Sequence, residues 1–357
     1  MGKGFAITTD LNLGEMFLTG YSRHCTGSST DDVPTGPATS QQTGSMLPKI
    51  RVAAITNDTV ATFIALAYAV KAVPGSRVTM GLIVGTGTNA TIPMRPNTLH
   101  PSKLNDIRDH HRVETIIINT EWTIRGTDEP LEQLGIKTQW DRTLSANSEA
   151  PGFQPFEYMT SGRYMGEIVR LAFLDIVAAT PTTLEGVPLS LRQKNTLPTR
   201  FLSEVVARSH EDELGQLLSK LEQAYPAPNQ ALEDGGVSLF WNGERATLLC
   251  NLARAVQQRS SALIAAACIG LLGCVGDIAL DERGTSDASE DVEELVIAYT
   301  GSTIAQYPHW LEDCQSWINR LVAASRSNSH KTVVLREALD GGIVGAGVLA
   351  GVGGNIT

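Results

Sequence analysis

The chain has 357 residues, 42% hydrophobic and 18% charged, which is enough apolar mass to bury the core of one large or two modest domains. Lys and Arg number 28 against 38 Asp and Glu, giving a net charge of -10. No Lys/Arg-rich run occurs, so nucleic-acid binding driven by phosphate contacts is disfavoured. Met1-Gly2-Lys3 runs quickly into Asp10 and Glu15, which does not fit a secretory signal, and Ala6 stands where a myristoylation pattern needs Ser or Thr. The longest apolar run, Ala262 to Gly276, is too short for a membrane span and reads as a buried helix. The five cysteines (Cys25, Cys250, Cys268, Cys274 and Cys314) form no C-x-x-C pair, which fits reduced thiols in a cytoplasmic protein.

In chain order, Thr26 to Pro48 is rich in Ser, Thr, Gly and Pro and predicts a disordered surface insertion. Ile50 to Ile55 predicts a buried strand, and Thr59 to Ala72 a helix with a period near 3.6. Arg77 to Val84 predicts a second strand closed by Gly85-Thr86-Gly87-Thr88, and the β-branched run Val113 to Asn119 a central one. A helical middle follows, with Gln154 to Ala179, Phe201 to Val206, Glu211 to Tyr225 and Glu244 to Gly276 as its segments. The tail alternates again: strand Leu295 to Tyr299, helix Pro308 to Ala324, strand Thr332 to Leu335 and a Gly/Ala-rich last helix, Gly341 to Ala350. Strands at both ends of a helical middle predict an α/β or α+β fold.

Neither a G-x-x-x-x-G-K-[ST] loop nor a G-x-G-x-x-G turn follows any strand. Gly85 to Asn89 can be read as a plain hairpin turn, or as a turn whose amides and hydroxyls approach a phosphate. Asn57-Asp58-Thr59 opens a helix at a strand end, where Asn and Asp cap well but where α/β proteins also place catalytic groups. Asn119-Thr120-Glu121-Trp122 ends a strand, and Gln154 and Glu157 open a helix. Such carboxylates and amides either are ordinary surface polarity or ring a polyhydroxylated ligand, whose hydroxyls need many paired donors and acceptors. Asp109-His110-His111 lacks metal-ligand spacing and reads as a solvent-facing loop.

The order of these pieces matters more than any one of them. Val52 to Val60, Gly81 to Ala90, Ile118 to Trp122, Trp140-Asp141, Phe156 to Met159 and Ser161 to Arg170 follow one another. Thr300-Gly301-Ser302 then precedes Tyr307-Pro308, and Asp340-Gly341-Gly342 precedes the last helix. From Lys3 to about Gly351 the chain resembles the eukaryotic hexokinase family, especially its fungal members. The resemblance implies the α/β actin-like ATPase (ribonuclease-H-like) fold, mainly its large lobe. Residues 1–56 would be a remnant of the small lobe with the insertion at 26–48. Residues 57–357 would be the large lobe, its last helix packing back toward the small one.

The implied reaction is transfer of phosphate from ATP, with Mg²⁺, to the 6-hydroxyl of glucose or a similar hexose. Asp58 matches the family's general base, and Lys3, Asn57, Asn89, Glu121, Gln154 and Glu157 match positions lining the sugar site. Thr86, Arg163, Thr199, Ser203, Gly301 and Ser302 match the nucleotide side, and no residue is expected as a direct metal ligand. The departures fall chiefly on the small lobe and the nucleotide side. The family's first phosphate loop, Asp-Leu-Gly-Gly-Thr-Asn, is not found, and Gly2 replaces a threonine before Lys3. Thr123-Ile124-Arg125-Gly126 replaces small residues after Trp122, Thr300 an acidic residue, and Gly342-Ile343 a Ser-Gly pair. These departures predict weakened ATP affinity. They leave open an alternative reading, a catalytically weak sugar sensor acting through regulatory protein partners.

Overall fold

The computed structural model describes residues 12–25, 47–70, 75–104, 112–124, 126–179, 186–209, 214–228, 230–231, 237–238, 240–280 and 293–353. The described elements begin with α1 (Leu13–Cys25), α2 (Asp58–Val70), β1 (Ser76–Val84), β2 (Thr88–Met94), α3 (Pro101–Leu104) and β3 (Ile116–Asn119). Then come α4 (Asp128–Gln133), α5 (Gln139–Asn147), α6 (Pro155–Thr160), α7 (Gly162–Ala179), α8 (Thr199–Phe201) and α9 (Leu214–Ala224). The chain continues with β4 (Gln230–Ala231), β5 (Val237–Ser238), α10 (Gly243–Cys274), β6 (Glu293–Thr300), α11 (Ser302–Gln306), α12 (Trp310–Ala323), β7 (Lys331–Glu337) and α13 (Gly341–Gly353). Two compact units result, one of Met1–Thr56 with Ala346–Thr357 and one of Asn57–Gly345.

In the first unit the hydroxyl of Tyr21 on α1 donates to the carbonyl of Pro48 at 2.6 Å. Ile50 to Ile55, expected as a buried strand, forms no ladder among the described residues, and its ends are 46% and 56% exposed. An apolar run becomes a buried strand only where neighbouring strands accept its backbone groups, and none does so among the described residues. Lys3, most of the Thr26 to Pro48 insertion and Asp109-His110-His111 lie outside the described residues.

The second unit is built on a mixed sheet of order β3-β2-β1-β6-β7. β1 pairs antiparallel with β2, and β2 with β3, while β1, β6 and β7 run parallel. Met80, Leu82 and Val84 of β1 and Leu295, Val296 and Ile297 of β6 are wholly buried, as strands covered on both faces require. The Val113 to Asn119 run yields only the four residues of β3, at a sheet edge rather than in the centre. Its β-branched residues resemble those of a central strand, yet Val113 and Ile117 stand exposed. At the opposite edge Gln315 of α12 donates to the Val333 carbonyl and accepts from the Leu335 amide, both at 2.8 Å.

α10 is longer than its apolar run because Arg254, Gln257 and Arg259 continue the helix on its N-terminal side. It is the one described helix whose length and hydropathy would allow it to cross a membrane, yet more than half of its most apolar stretch is buried within the protein. It packs along α7 and α12, and beside it Phe173 stacks on Trp241 with ring centroids 5.6 Å apart. All five cysteines are free, and burial pushes the Cys268 thiol up to about 12, which keeps it unreactive.

The predicted Gln154 to Ala179 helix is two helices. Ser161 turns extended between them, and the Gly162 amide bonds the Gly85 carbonyl at 2.8 Å instead of continuing the first helix. Phe201 to Val206 is likewise split, with the end of α8 running into a single π-turn over Leu202–Val206. Three backbone segments thus meet at one point, and glycine is needed in two of them, at Gly162 and Gly301. A Cβ on Gly162 would strike the Thr303 hydroxyl and come within 2.9 Å of the Gly85 carbonyl oxygen. Gly301 holds φ +123°, and a Cβ there would run into the Val84 carbonyl. The Thr303 hydroxyl donates to the same Gly85 carbonyl at 3.1 Å.

Asp141 does structural work. It closes a capping box with Thr138 at the start of α5 and receives both terminal nitrogens of Arg259, at 2.7 and 2.8 Å, while only 1% exposed. Replacing Arg259 by Met strands this carboxylate and should cost about 3–5 kcal/mol in urea unfolding, because the remaining charge stays buried. Gly162→Ala should cost about 1–3 kcal/mol in the same measurement, the usual penalty for forcing a methyl into filled space.

Candidate active site

The turn between β1 and β2 divides the site. On one side lie the amides and carboxylates read from the sequence as sugar ligands. Asn89 donates from Nδ2 to Asn119 Oδ1 at 2.7 Å and to Glu121 Oε1 at 3.3 Å, and Asn119 Nδ2 donates to the same Glu121 oxygen at 3.0 Å. Glu121 sits at φ +44°, a left-handed conformation that a non-glycine residue adopts at some cost and that clusters at ligand sites. Glu157, 1% exposed at the start of α6, accepts the Thr88 amide at 3.4 Å, and Gln154 is buried just before that helix. The hydroxyl of Thr88 and the indole N–H of Trp122, next to Glu157 and Glu121 respectively, are buried and lack a partner among the described residues. Buried polar atoms left over in this way mark a place where a water or ligand belongs.

Asn57 and Asp58 open α2. The side chain of Asn57 accepts the amide and hydroxyl of Thr59, and Asp58 Oδ1 accepts the same amide at 2.9 Å. The Thr59 hydroxyl lies 2.6 Å from that of Thr91, whose partner across the ladder is Asn119. The backbone of this segment is therefore capped, as read from the sequence, and the side chain of Asp58 remains exposed.

On the other side of the turn is a cavity of about 760 Å³. Thr86, Arg163, Thr199, Ser203 and Ser302 line it, and Gly301 packs behind it against Gly85. The first two amides of α7, those of Gly162 and Arg163, bond the carbonyls of Gly85 and Thr86, which fixes the turn at the cavity mouth. Arg163, Arg200 and Arg208 line it together with two glutamates; Glu167 pairs with the buried Arg170, Glu204 with Arg200, and Arg163 with Glu149. Such a cavity suits a polyanion of nucleotide size.

Of the residues read from the sequence, the structure gathers Asn57, Asp58, Asn89, Glu121, Gln154 and Glu157 around one end of the β1–β2–β3 ladder, and the five cavity residues with Gly301 around the other side of the turn. Sequence reasoning places Asn119 among the strand-end amides but not among the sugar positions the family implies, where it joins Asn89 to Glu121, and it leaves out Thr91, which ties α2 to β2. Asn119 carries a usable signal, since it precedes Glu121 by two residues at a strand end. Thr91 carries none, because its role depends on packing between α2 and β2.

A family model described as hexokinase matches residues 79–352. Hexokinase-2 of Solanum tuberosum is 28% identical over 346 residues, which cover 96% of this chain and 61% of that protein. Hexokinase-1 of Arabidopsis thaliana is 29% identical over 302 residues, 84% of this chain and 53% of that protein. The hexokinase of Schistosoma mansoni is 32% identical over 156 residues, 44% of this chain and 32% of that protein. Its solved structure, complexed with glucose, superposes with a TM-score of 0.63 at 24% identity, covering 84% of this chain and 57% of that one. The chain thus spans little more than half the length of the curated relatives it matches most extensively. With the sheet, the turn and the flanking helices in the order of those proteins, the chain belongs to the hexokinase family.

Proposed function

We propose that this chain takes part in ATP-dependent phosphorylation of a hexose at its 6-hydroxyl. The observation that carries this reading is the single turn, Gly85 to Asn89, with an amide–carboxylate cluster on one side and an anion-suited cavity on the other. A phosphoryl group passing from a nucleotide to a sugar needs the two ligands on either side of one rigid element. The bound glucose of the Schistosoma mansoni structure supports a hexose as the acceptor.

In this reading residues 57–357 are the large lobe of the family fold and 1–56 part of the small one. Glu121 and Glu157 accept sugar hydroxyls, while Asn57, Asn89, Asn119 and Gln154 complete the pairing. Lys3 matches a sugar position in the family pattern alone. Asp58 accepts the proton of the attacking hydroxyl, and its place in the first turn of α2 favours the negative charge this requires. Thr86, Thr199, Ser203 and Ser302 donate to the nucleotide, and Arg163 offsets its charge. Mg²⁺ would accompany the nucleotide, as is usual for phosphoryl transfer. Such a metal would neutralise charge on the transferred phosphate. Family membership and the formed cavity favour the enzyme over the regulator.

Glu121→Ala and Glu157→Ala should each weaken glucose binding by about 1–3 kcal/mol in calorimetry, because sugar hydroxyls are left unpaired. Unchanged glucose affinity in both variants would refute the sugar assignment. Asp58→Asn should retain glucose binding while phosphate transfer from ATP, followed in a coupled assay, falls about 10²-fold or more. A variant that turns over like its parent would remove Asp58 from the reaction.

A further inference from the structure

We propose that Glu167 and Arg170 of α7 are positioning residues for the nucleotide, holding the segment from Leu191 to Thr199 as one wall of the cavity. This rests on the nucleotide reading of that cavity. Both side chains are 4% exposed and grip each other twice: Arg170 Nε donates to Glu167 Oε2 at 2.7 Å, and a terminal nitrogen to Oε1 at 2.6 Å. Neither is used up by this pairing. The other terminal nitrogen of Arg170 donates to the Leu191 carbonyl at 2.8 Å, and Glu167 Oε2 also accepts the Asn195 amide at 2.6 Å. The pair therefore clamps the start and middle of a segment that has no regular ladder of its own.

The far end of the segment is fixed one residue earlier on the same helix. The Gly166 amide donates to the Thr199 hydroxyl oxygen at 2.9 Å, and the Leu197 carbonyl lies where a side chain on Gly166 would be. Thr199 thus accepts from the helix and keeps its hydroxyl proton for a ligand in the cavity it lines. Asn195, at φ +60°, makes the turn that this course demands and is held there by the carboxylate. Burying two charges is a poor way to gain stability alone, since apolar residues of similar volume often serve as well or better. What the charges supply is direction: a guanidinium aimed at one carbonyl and a carboxylate aimed at one amide. Through them the orientation of Thr199 is set by α7, whose first amides also fix the Thr86 turn, so both walls of the cavity are referred to one rigid helix.

The test is Arg170→Lys in the full chain, which keeps the charge but loses the two-point grip and the reach to Leu191. Calorimetry with Mg²⁺ and ATP, and separately with glucose, reads the two sites, and amide hydrogen exchange reads the segment. The expected result is ATP affinity lowered about tenfold, the range of a lost charged hydrogen bond. Glucose affinity should be unchanged, and exchange in residues 191–199 should be faster while α7 stays protected. Glu167→Leu with Arg170→Leu, an apolar pair of similar bulk, serves where the lysine variant does not fold, with the same expectations. Undiminished ATP affinity in the folded variants, or unchanged exchange in the segment, overturns the proposal while leaving the nucleotide reading intact. Failure of the parent chain to bind ATP while it binds glucose overturns the nucleotide reading and the proposal with it.

Discussion

At the junction of Gly85, Gly162 and Gly301, backbone packs directly on backbone, with the Thr303 hydroxyl seated beside it. The hairpin turn, the start of α7 and the end of β6 come so close that the Gly85 carbonyl receives both a helix amide and the Thr303 hydroxyl. The first turn of a helix ordinarily leaves its amides to solvent or a ligand. Here two of them are committed to the turn, which is thereby oriented without any help from a bound molecule. Everything placed by that turn inherits its rigidity: Thr86 at the cavity, Thr88 against Glu157, Asn89 within its triangle of amide and carboxylate.

The polar cluster around Asn89 shows how such a scaffold is used. Asn89, Asn119 and Glu121 bond one another, so their orientations are set before any ligand arrives, and little reorganisation is left for binding one. The left-handed backbone at Glu121 costs energy that the sheet and the buried Trp122 must offset. Strain of this kind persists only where surrounding packing determines the conformation, and the edge-to-face contact of Trp122 with Phe156 is part of that packing.

Much of this was legible in the sequence because the signals are local. The helix at Asp58, the strand ending at Val84, the glycine turn and the long α10 each follow from periodicity and turn chemistry over short windows. The same holds for Glu121 and Glu157, whose positions at a strand end and a helix start mark them. What escaped depends on partners remote in sequence. Ile50 to Ile55 carries the apolar residues of a strand but pairs with no strand among the described residues. Ser161 breaks a helical period because a carbonyl on the hairpin draws the next amide away, and β3 lies at an edge although its residues suit a centre. Thr91 matters through the packing of α2 on β2, which composition does not reveal. Positions in the amino-terminal segment, Lys3 among them, belong to the pattern of the family alone.

The side chain of Gln315 has a consequence of a different sort. An outermost strand exposes carbonyls and amides to which another chain can add, and β7 is such a strand, seven residues long and rich in valine and leucine. The Gln315 amide offers the Val333 carbonyl and the Leu335 amide the same pair of bonds that an arriving strand would offer. It acts as a stub of imitation backbone, filling the middle of the edge from within the same molecule. The other margin, β3, is four residues long and gives an incoming strand little to hold. Growth of the sheet into larger assemblies is therefore checked at one border by mimicry and at the other by brevity.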